Sequence, residues 1–209
     1  MNGVGINLSR FCKVSDTEKL KIRKILGFSE TDFIITVVAE LNKNKNQLCL
    51  INRLHKLKQQ IPNLKVIFLG KESSPKARKK VHRLKLENIC TFLGYRKDVD
   101  LFQKAGDICF SASKREGLPV NIMEGMACGK VCIVSSNRGH DSLIKDGYNG
   151  LSFELNNTSK MIDKIFSVYK NKELYNYLSE NAAKDALQYD EKIAVTFISD
   201  LYTSLLKEK

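Results

Sequence analysis

Six short apolar runs, alternating with helical patterns, constrain this chain more than any other feature. They are Phe33–Ala39, Lys65–Gly70, Ile89–Gly94, Asp107–Ser111, Lys130–Ser136 and Gly150–Phe153. Their interiors are rich in Val, Ile and Phe and show no alternation with polar residues. Such runs read as strands buried on both faces, which a parallel sheet between two helical layers provides. Leu48, Ile51, Leu54, Leu57 and Ile61 recur at helical spacing between the first two. Ser74 and Pro75 look like an N-cap and first helical position, opening a basic helix to about Leu86. Asp98–Ala105 is a short helix. Pro119–Cys128 is another, with Gly129 as its stop. From Asn157 onward the pattern is helical: Thr158–Tyr169, Lys172–Leu187 and Asp190–Leu206. The predicted fold is α/β, a doubly wound parallel six-stranded Rossmann-like sheet with C-terminal helices. Residues 33–209 form that domain. Residues 1–32 read as an entry arm with a helical stretch near Lys19–Leu26. Ligands are expected at the carboxyl ends of the strands.

Composition narrows the class. Hydrophobic residues are 43% and charged residues 28% of the 209, which excludes a disordered chain. No apolar run approaches the roughly 18 residues of a membrane helix, and no signal peptide is visible. Six cysteines occur without a CxxC and read as reduced, mostly buried thiols. His55, His82 and His140 are scattered, and there is no HExxH, so no metal site is expected. His140 reads as a loop hydrogen-bonder, His55 and His82 as solvated. Neither GxGxxG nor GxxxxGK[ST] is present, so dinucleotide redox chemistry and P-loop chemistry lack their fingerprints.

The net charge is +12, and all of the excess is local. Lys43–Lys97 holds 15 Lys/Arg against only Glu72 and Glu87. Solvated helix faces are one meaning of this segment, and peripheral contact with anionic lipid is another. Nucleic acid is a poor partner, because Lys76-Ala77-Arg78-Lys79-Lys80 has no interleaved aromatics.

The chemistry concentrates in Ser111–Gly129. A buried strand ends at Ser111, and a polar loop with Lys114, Arg115 and Glu116 follows. Gly117 lets a ligand approach the backbone. The next helix then starts with free N–H groups, a ready anion site. Glu116 and Glu124 resemble the E-x7-E motif of retaining nucleotide-sugar glycosyltransferases. The resemblance continues through Glu124-Gly125-Met126-Ala127-Cys128-Gly129, Asp146-Gly147-Tyr148-Asn149-Gly150, Val38-Ala39-Glu40-Leu41 with Lys45, and Asn2-Gly3-Val4-Gly5-Ile6-Asn7 with Arg10-Phe11. Five ordered motifs resemble the carboxyl-terminal, donor-binding domain of a GT-B glycosyltransferase of family 4 (glycosyl transferases group 1), of the bacterial capsular or exopolysaccharide kind.

The resemblance implies roles. Glu124 accepts both ribose hydroxyls of a nucleotide-sugar, most simply a UDP-sugar. Glu116 orients the donor sugar and is the implied catalytic residue. Backbone N–H groups around Gly117, Leu118 and Val120 hold sugar or pyrophosphate. Lys45, aided by Arg115 or Lys114, neutralises the diphosphate. Gly94, Tyr95 and Arg96 contact the base, and Gly70 is a further donor-binding residue. The donor is a substrate, and no cofactor or metal is implied. Where the family usually has Arg, this chain has Glu40; where many relatives carry Glu, it has Ser142. The acceptor, a glycan or lipid-linked glycan, would bind an N-terminal domain that is absent, so the chain alone is expected to bind nucleotide weakly and not to transfer sugar. Expected localisation is cytoplasmic, with possible peripheral contact at the inner face of the cell membrane. A nucleotide-sugar epimerase of the same frame and a non-catalytic nucleotide-sugar-binding module remain open alternatives.

Overall fold

The computed structural model describes residues 4–207. Six strands form one parallel sheet: β1 (Phe33–Val38), β2 (Leu64–Leu69), β3 (Cys90–Gly94), β4 (Ile108–Ser111), β5 (Val131–Ser135) and β6 (Gly150–Phe153). Their order is β3-β2-β1-β4-β5-β6. That is the doubly wound arrangement, with a switch of direction between β1 and β4. Neighbouring residues on a strand serve opposite helical layers. Ile35, Val66, Phe110 and Ile133 join one core cluster. Ile34 and Ile67 join a second, and Cys109 and Val134 a third. Both faces are therefore covered, which is why the runs show no polar alternation. Each fully buried Ile or Phe contributes about 1.5–3 kcal/mol.

Helices α1 (Asp16–Ile25), α4 (Lys76–Arg83), α5 (Val99–Ala105), α6 (Val120–Ala127), α8 (Thr158–Lys170), α9 (Lys172–Ala186) and α10 (Glu191–Lys207) lie close to their expected places. Three details differ. The Leu48–Ile61 pattern is split into α2 (Leu48–Ile51) and α3 (Leu54–Gln60) by a turn at Asn52 and Arg53. The break keeps Leu50, Ile51, Leu54 and Leu57 all fully buried. Pro75 and Pro119 occupy cap positions instead of first helical positions. A single turn, α7 (Arg138–Asp141), stands where the sequence showed only a loop. Asn2 and Gly3 of the entry motif lie outside the described residues.

Residues before β1 pack onto the sheet. Ser15 caps α1 by accepting from the Glu18 N–H at 3.2 Å. Arg23 is buried, and it and Lys19 donate to the Asp107 carboxylate at 2.7 and 2.6 Å. The same carboxylate accepts from Ile34 N at 2.8 Å, so one acid ties α1, β1 and the start of β4 together. Removing a charged acceptor from buried donors costs about 1.5–3 kcal/mol. Asp107→Asn should therefore lower the unfolding free energy by about 2 kcal/mol. Urea denaturation checks this, and an unchanged midpoint would show that the network contributes nothing.

Candidate functional site

The loops after β1 and β4 flank the switch point. In the first, Asn42 Oδ1 accepts from the N–H groups of Asn44 and Lys45 at 3.0 and 2.9 Å. That side-chain turn presents Lys45 toward the second loop. Asn44 then bridges the gap twice. Its Nδ2 donates to Arg115 O at 3.0 Å, and its carbonyl accepts from Lys114 N at 2.8 Å. Lys45 Nζ donates to Glu116 Oε1 at 2.6 Å, and the Glu116 side chain is only 10% exposed. Two residues singled out from separate motifs are thus one ion pair.

A third loop closes the floor. Ser135 Oγ and Asn137 Nδ2 donate to Ser113 O at 2.6 and 3.0 Å. Asn137 Oδ1 caps α7, accepting from Gly139 N and His140 N, both at 3.1 Å. A Cβ on Gly139 would lie 2.5 Å from Gly117 O and 2.6 Å from Glu116 Cβ, so α7 presses directly on the Glu116–Gly117 segment. His140 is fully buried, with Nδ1 at 2.7 Å from Ser135 O. Burial holds its pKa below the usual histidine value, so it stays neutral and structural.

α6 leaves this floor. Among the described residues, the N–H groups of Gly117, Leu118, Val120 and Asn121 find no acceptor within the chain. They are open to an anion, and the helix dipole favours one there. Gly117 has nothing within 4 Å of a would-be Cβ, so the loop is open on that side. Gly125, deeper in α6, is structural: its Cβ would meet Cys109 Sγ at 2.7 Å. Glu124 makes no ion pair among the described residues. Burial pushes its carboxyl up to about 7; the Arg10 cation opposes this and Asp100 adds to it. Arg10 itself is paired with Asp100 at 2.8 Å.

Beside these loops, a cleft of about 450 Å³ opens over the carboxyl ends of β1, β2 and β3. Glu40, Gly70, Tyr95 and Arg96 line it, with Val38 and Val99 beneath. Tyr95 is 77% exposed. Arg96 is held by Asp98 at 2.6 Å and lies 5.5 Å over the Phe102 ring. Gly70 N donates to Gly94 O at 2.7 Å, while the Gly70 Cα faces the Ala39 carbonyl. Glu40 is exposed, and its carboxylate accepts from the Ser73 hydroxyl. It offers no positive charge. Lys114 and Arg115 are exposed beside the Lys45–Glu116 pair. Among the described residues there is no group of three or more His, Cys, Asp or Glu placed to hold a metal.

Sequence reading did not find the loop-joining residues Asn42, Asn44, Asn137 and Gly139, nor the reach of Arg10 toward Glu124. Asn137, immediately before the short helical turn at Arg138, carried the one readable signal, that of an N-cap.

Residues 18–185 match the family model described as Glycosyl transferases group 1. The chain is 33% identical over 207 residues to the putative glycosyltransferase EpsD of Bacillus subtilis (strain 168), covering 99% of this chain and 54% of that protein. It is 28% identical over 210 residues to the UDP-Gal:alpha-D-GlcNAc-diphosphoundecaprenol alpha-1,3-galactosyltransferase of Escherichia coli, covering 98% and 54%. The crystal structure of Anabaena Alr3699/HepE in complex with UDP and glucose superposes with a TM-score of 0.86 at 24% identity, over 96% of this chain and 55% of that one. The chain spans about half the length of the curated relatives it matches. On the family match across most of its length, the chain belongs to the glycosyl transferases group 1 family.

Proposed function

We propose that the chain supplies the donor half of a retaining glycosyltransferase that moves a sugar from a UDP-sugar to a glycan or lipid-linked acceptor in surface polysaccharide synthesis. The observation that carries this reading is the Lys45–Glu116 pair at the switch point, next to the open N-terminus of α6. Glycosyl transfer breaks the bond between the anomeric carbon and the diphosphate, and negative charge grows on the departing phosphate oxygen. Lys45 and the free N–H groups at Gly117, Leu118, Val120 and Asn121 are preorganised to meet that charge. In this reading the counter-charge comes from the protein, with no metal cofactor. Glu116, held by Lys45 on one oxygen, keeps its other oxygen for a sugar hydroxyl. Glu124 offers two acceptor oxygens to the vicinal ribose hydroxyls. The cleft by Gly70, Gly94, Tyr95 and Arg96 takes the base, and its volume suits a nucleoside. The E. coli relative is named for a UDP-sugar donor and a diphospho-lipid acceptor, which supports both choices. In this reading the reaction is cytoplasmic, and a second domain presents the reacting end of the acceptor. Among the described residues no helix is long and apolar enough to cross a membrane.

Calorimetry separates the phosphate contacts from the base contacts. Lys45→Ala should weaken UDP binding about tenfold, the equivalent of one charged hydrogen bond to phosphate, and leave uridine binding unchanged. Equal loss for uridine would mean that the loop has collapsed, and no loss for UDP would remove Lys45 from the diphosphate. In turnover with an acceptor-binding half, free UDP and a glycoside are the expected products. An interconverted sugar nucleotide would instead indicate an epimerase.

A further inference from the structure

α4 carries most of its cations on one stripe. Lys76, Lys79, Lys80 and Arg83 fall at i, i+3, i+4 and i+7 and so share a helix face. Ala77 and Val81 are buried on the opposite side. The nearest acids are engaged elsewhere, Glu72 by Arg78 and Glu87 by His82. Among the described residues the four stripe cations make no ion pair. Two like-charged i,i+4 pairs on one short helix each destabilise it by about 0.2–0.5 kcal/mol. The stripe spans about 10 Å of helix, roughly one Debye length at 0.1 M salt, so the charges act together.

The stripe walls a groove of about 380 Å³, with Leu48 and Asn52 on the other side. Lys76 and Leu48 also line a second cleft of about 340 Å³, shared with Lys43, Asn46 and Lys114. The two clefts adjoin at Lys76 and Leu48, and together they form a trench. Its near end touches Asn46 and Lys114, which belong to the same two loops that carry Lys45 and Glu116. No acid lines either part.

We propose that this trench holds a linear polyanion: an acceptor or growing glycan that bears phosphate or carboxylate groups and runs from the transfer point along α4. The proposal rests on the donor-site reading for the identity of the chain as acceptor, and on the trench alone for its charge. A concave track with apolar lining at Leu48, and at Ala77 in its near part, suits a chain better than a membrane plane. The large exposed hydrophobic residues all lie outside α2, α3 and α4, so this face has nothing to insert into a bilayer. No aromatic residue lines either part, so nothing is there to stack a nucleic-acid base.

The test uses the full chain with linear inorganic polyphosphate as probe. A variant carrying Lys76→Gln, Lys79→Gln, Lys80→Gln and Arg83→Gln should bind polyphosphate about tenfold or more weakly and keep its UDP affinity. A control with the same change in net charge, Lys160→Gln, Lys172→Gln, Lys184→Gln and Lys192→Gln, should stay within about twofold of the parent. The stripe variant relieves repulsion and should fold at least as stably as the parent. The proposal is overturned if the control loses as much affinity or if the stripe variant loses none. It is also overturned if the parent binds phosphatidylglycerol vesicles while ignoring polyphosphate, which makes the stripe a membrane surface. Glu124→Ala should abolish UDP binding and spare polyphosphate binding. Loss of both would overturn the trench as a separate site. Polyphosphate binding by a parent that binds no UDP would overturn the donor reading and leave the trench standing.

Discussion

Glu124→Gln is expected to bind UDP at least about tenfold more weakly than the parent, and yet to unfold at a higher temperature above pH 7. Both effects come from one buried carboxyl. Burial raises it to about 7, against an ordinary value of 4.5. Between those values the folded chain holds a proton that the unfolded chain has released. Stability therefore falls as pH rises through this window, and the loss is complete above about 7. A shift of this size corresponds to about 3 kcal/mol, or on the order of 10 °C for a chain of this length. Glutamine never ionises and avoids that loss. It also replaces one acceptor oxygen by an amide donor, and the ribose diol then loses an acceptor. Parent UDP affinity should rise with pH through about 7, while that of the variant stays flat. Thermal unfolding at pH 5 and pH 8, with calorimetry at both, tests the pair of effects. Equal UDP affinity would remove Glu124 from the ribose. Equal stability at pH 8 would show a carboxylate that is still hydrated in the apo protein.

Gly70→Ala should cost about 3 kcal/mol or more and abolish measurable UDP binding. Gly70 has φ of +147°. A Cβ there would sit 2.1 Å from Ala39 O, 2.5 Å from Ala39 C and 3.0 Å from Glu40 N. All three are backbone atoms, so no side-chain rotation can relieve the clash; β1 and β2 must separate at their carboxyl ends. That is the floor of the proposed base cleft. Gly147→Ala provides the comparison. It also has positive φ, +78°, but open space around it, so only the left-handed backbone penalty of about 1 kcal/mol applies. Urea denaturation of the two variants separates packing from conformational strain. Comparable losses would mean that the β1–β2 ends are pliable.

The sheet was legible because its signal is local. A strand buried on both faces must be apolar along its whole length, and the runs at Phe33 and Val131 are. Gly70 shows where that logic stopped. It reads as a strand-ending glycine at the donor site, and the structure adds a second reason for it that no local pattern carries, its closeness to the Ala39 carbonyl. The Lys45–Glu116 pair joins positions 71 apart. Each residue was readable as a member of a motif, but their contact depends on β1 lying beside β4, which no local pattern reports. The split between α2 and α3 was hidden for a related reason. Asn52 and Arg53 keep helical periodicity on both sides, and the kink is imposed by what Leu50 and Leu54 must reach in the core. Gly139 was unreadable as a site residue because its role is to be small against Gly117 and Glu116.

The seam between β1 and β4 also bears on the order in which the molecule comes together. Ile34 N and the Asp107 carboxylate meet across 73 positions of chain, whereas β1 and β2, or β4 and β5, join segments much closer in sequence. Loop-closure entropy makes the distant pairing the later event. Each half of the sheet can gather its own helices first, and the seam then seals them. The loops proposed to bind nucleotide straddle that seam, so on that reading the binding-competent state comes into being only with the final closure. Conversely, mild denaturant should erase nucleotide affinity while far-ultraviolet helicity is still nearly intact.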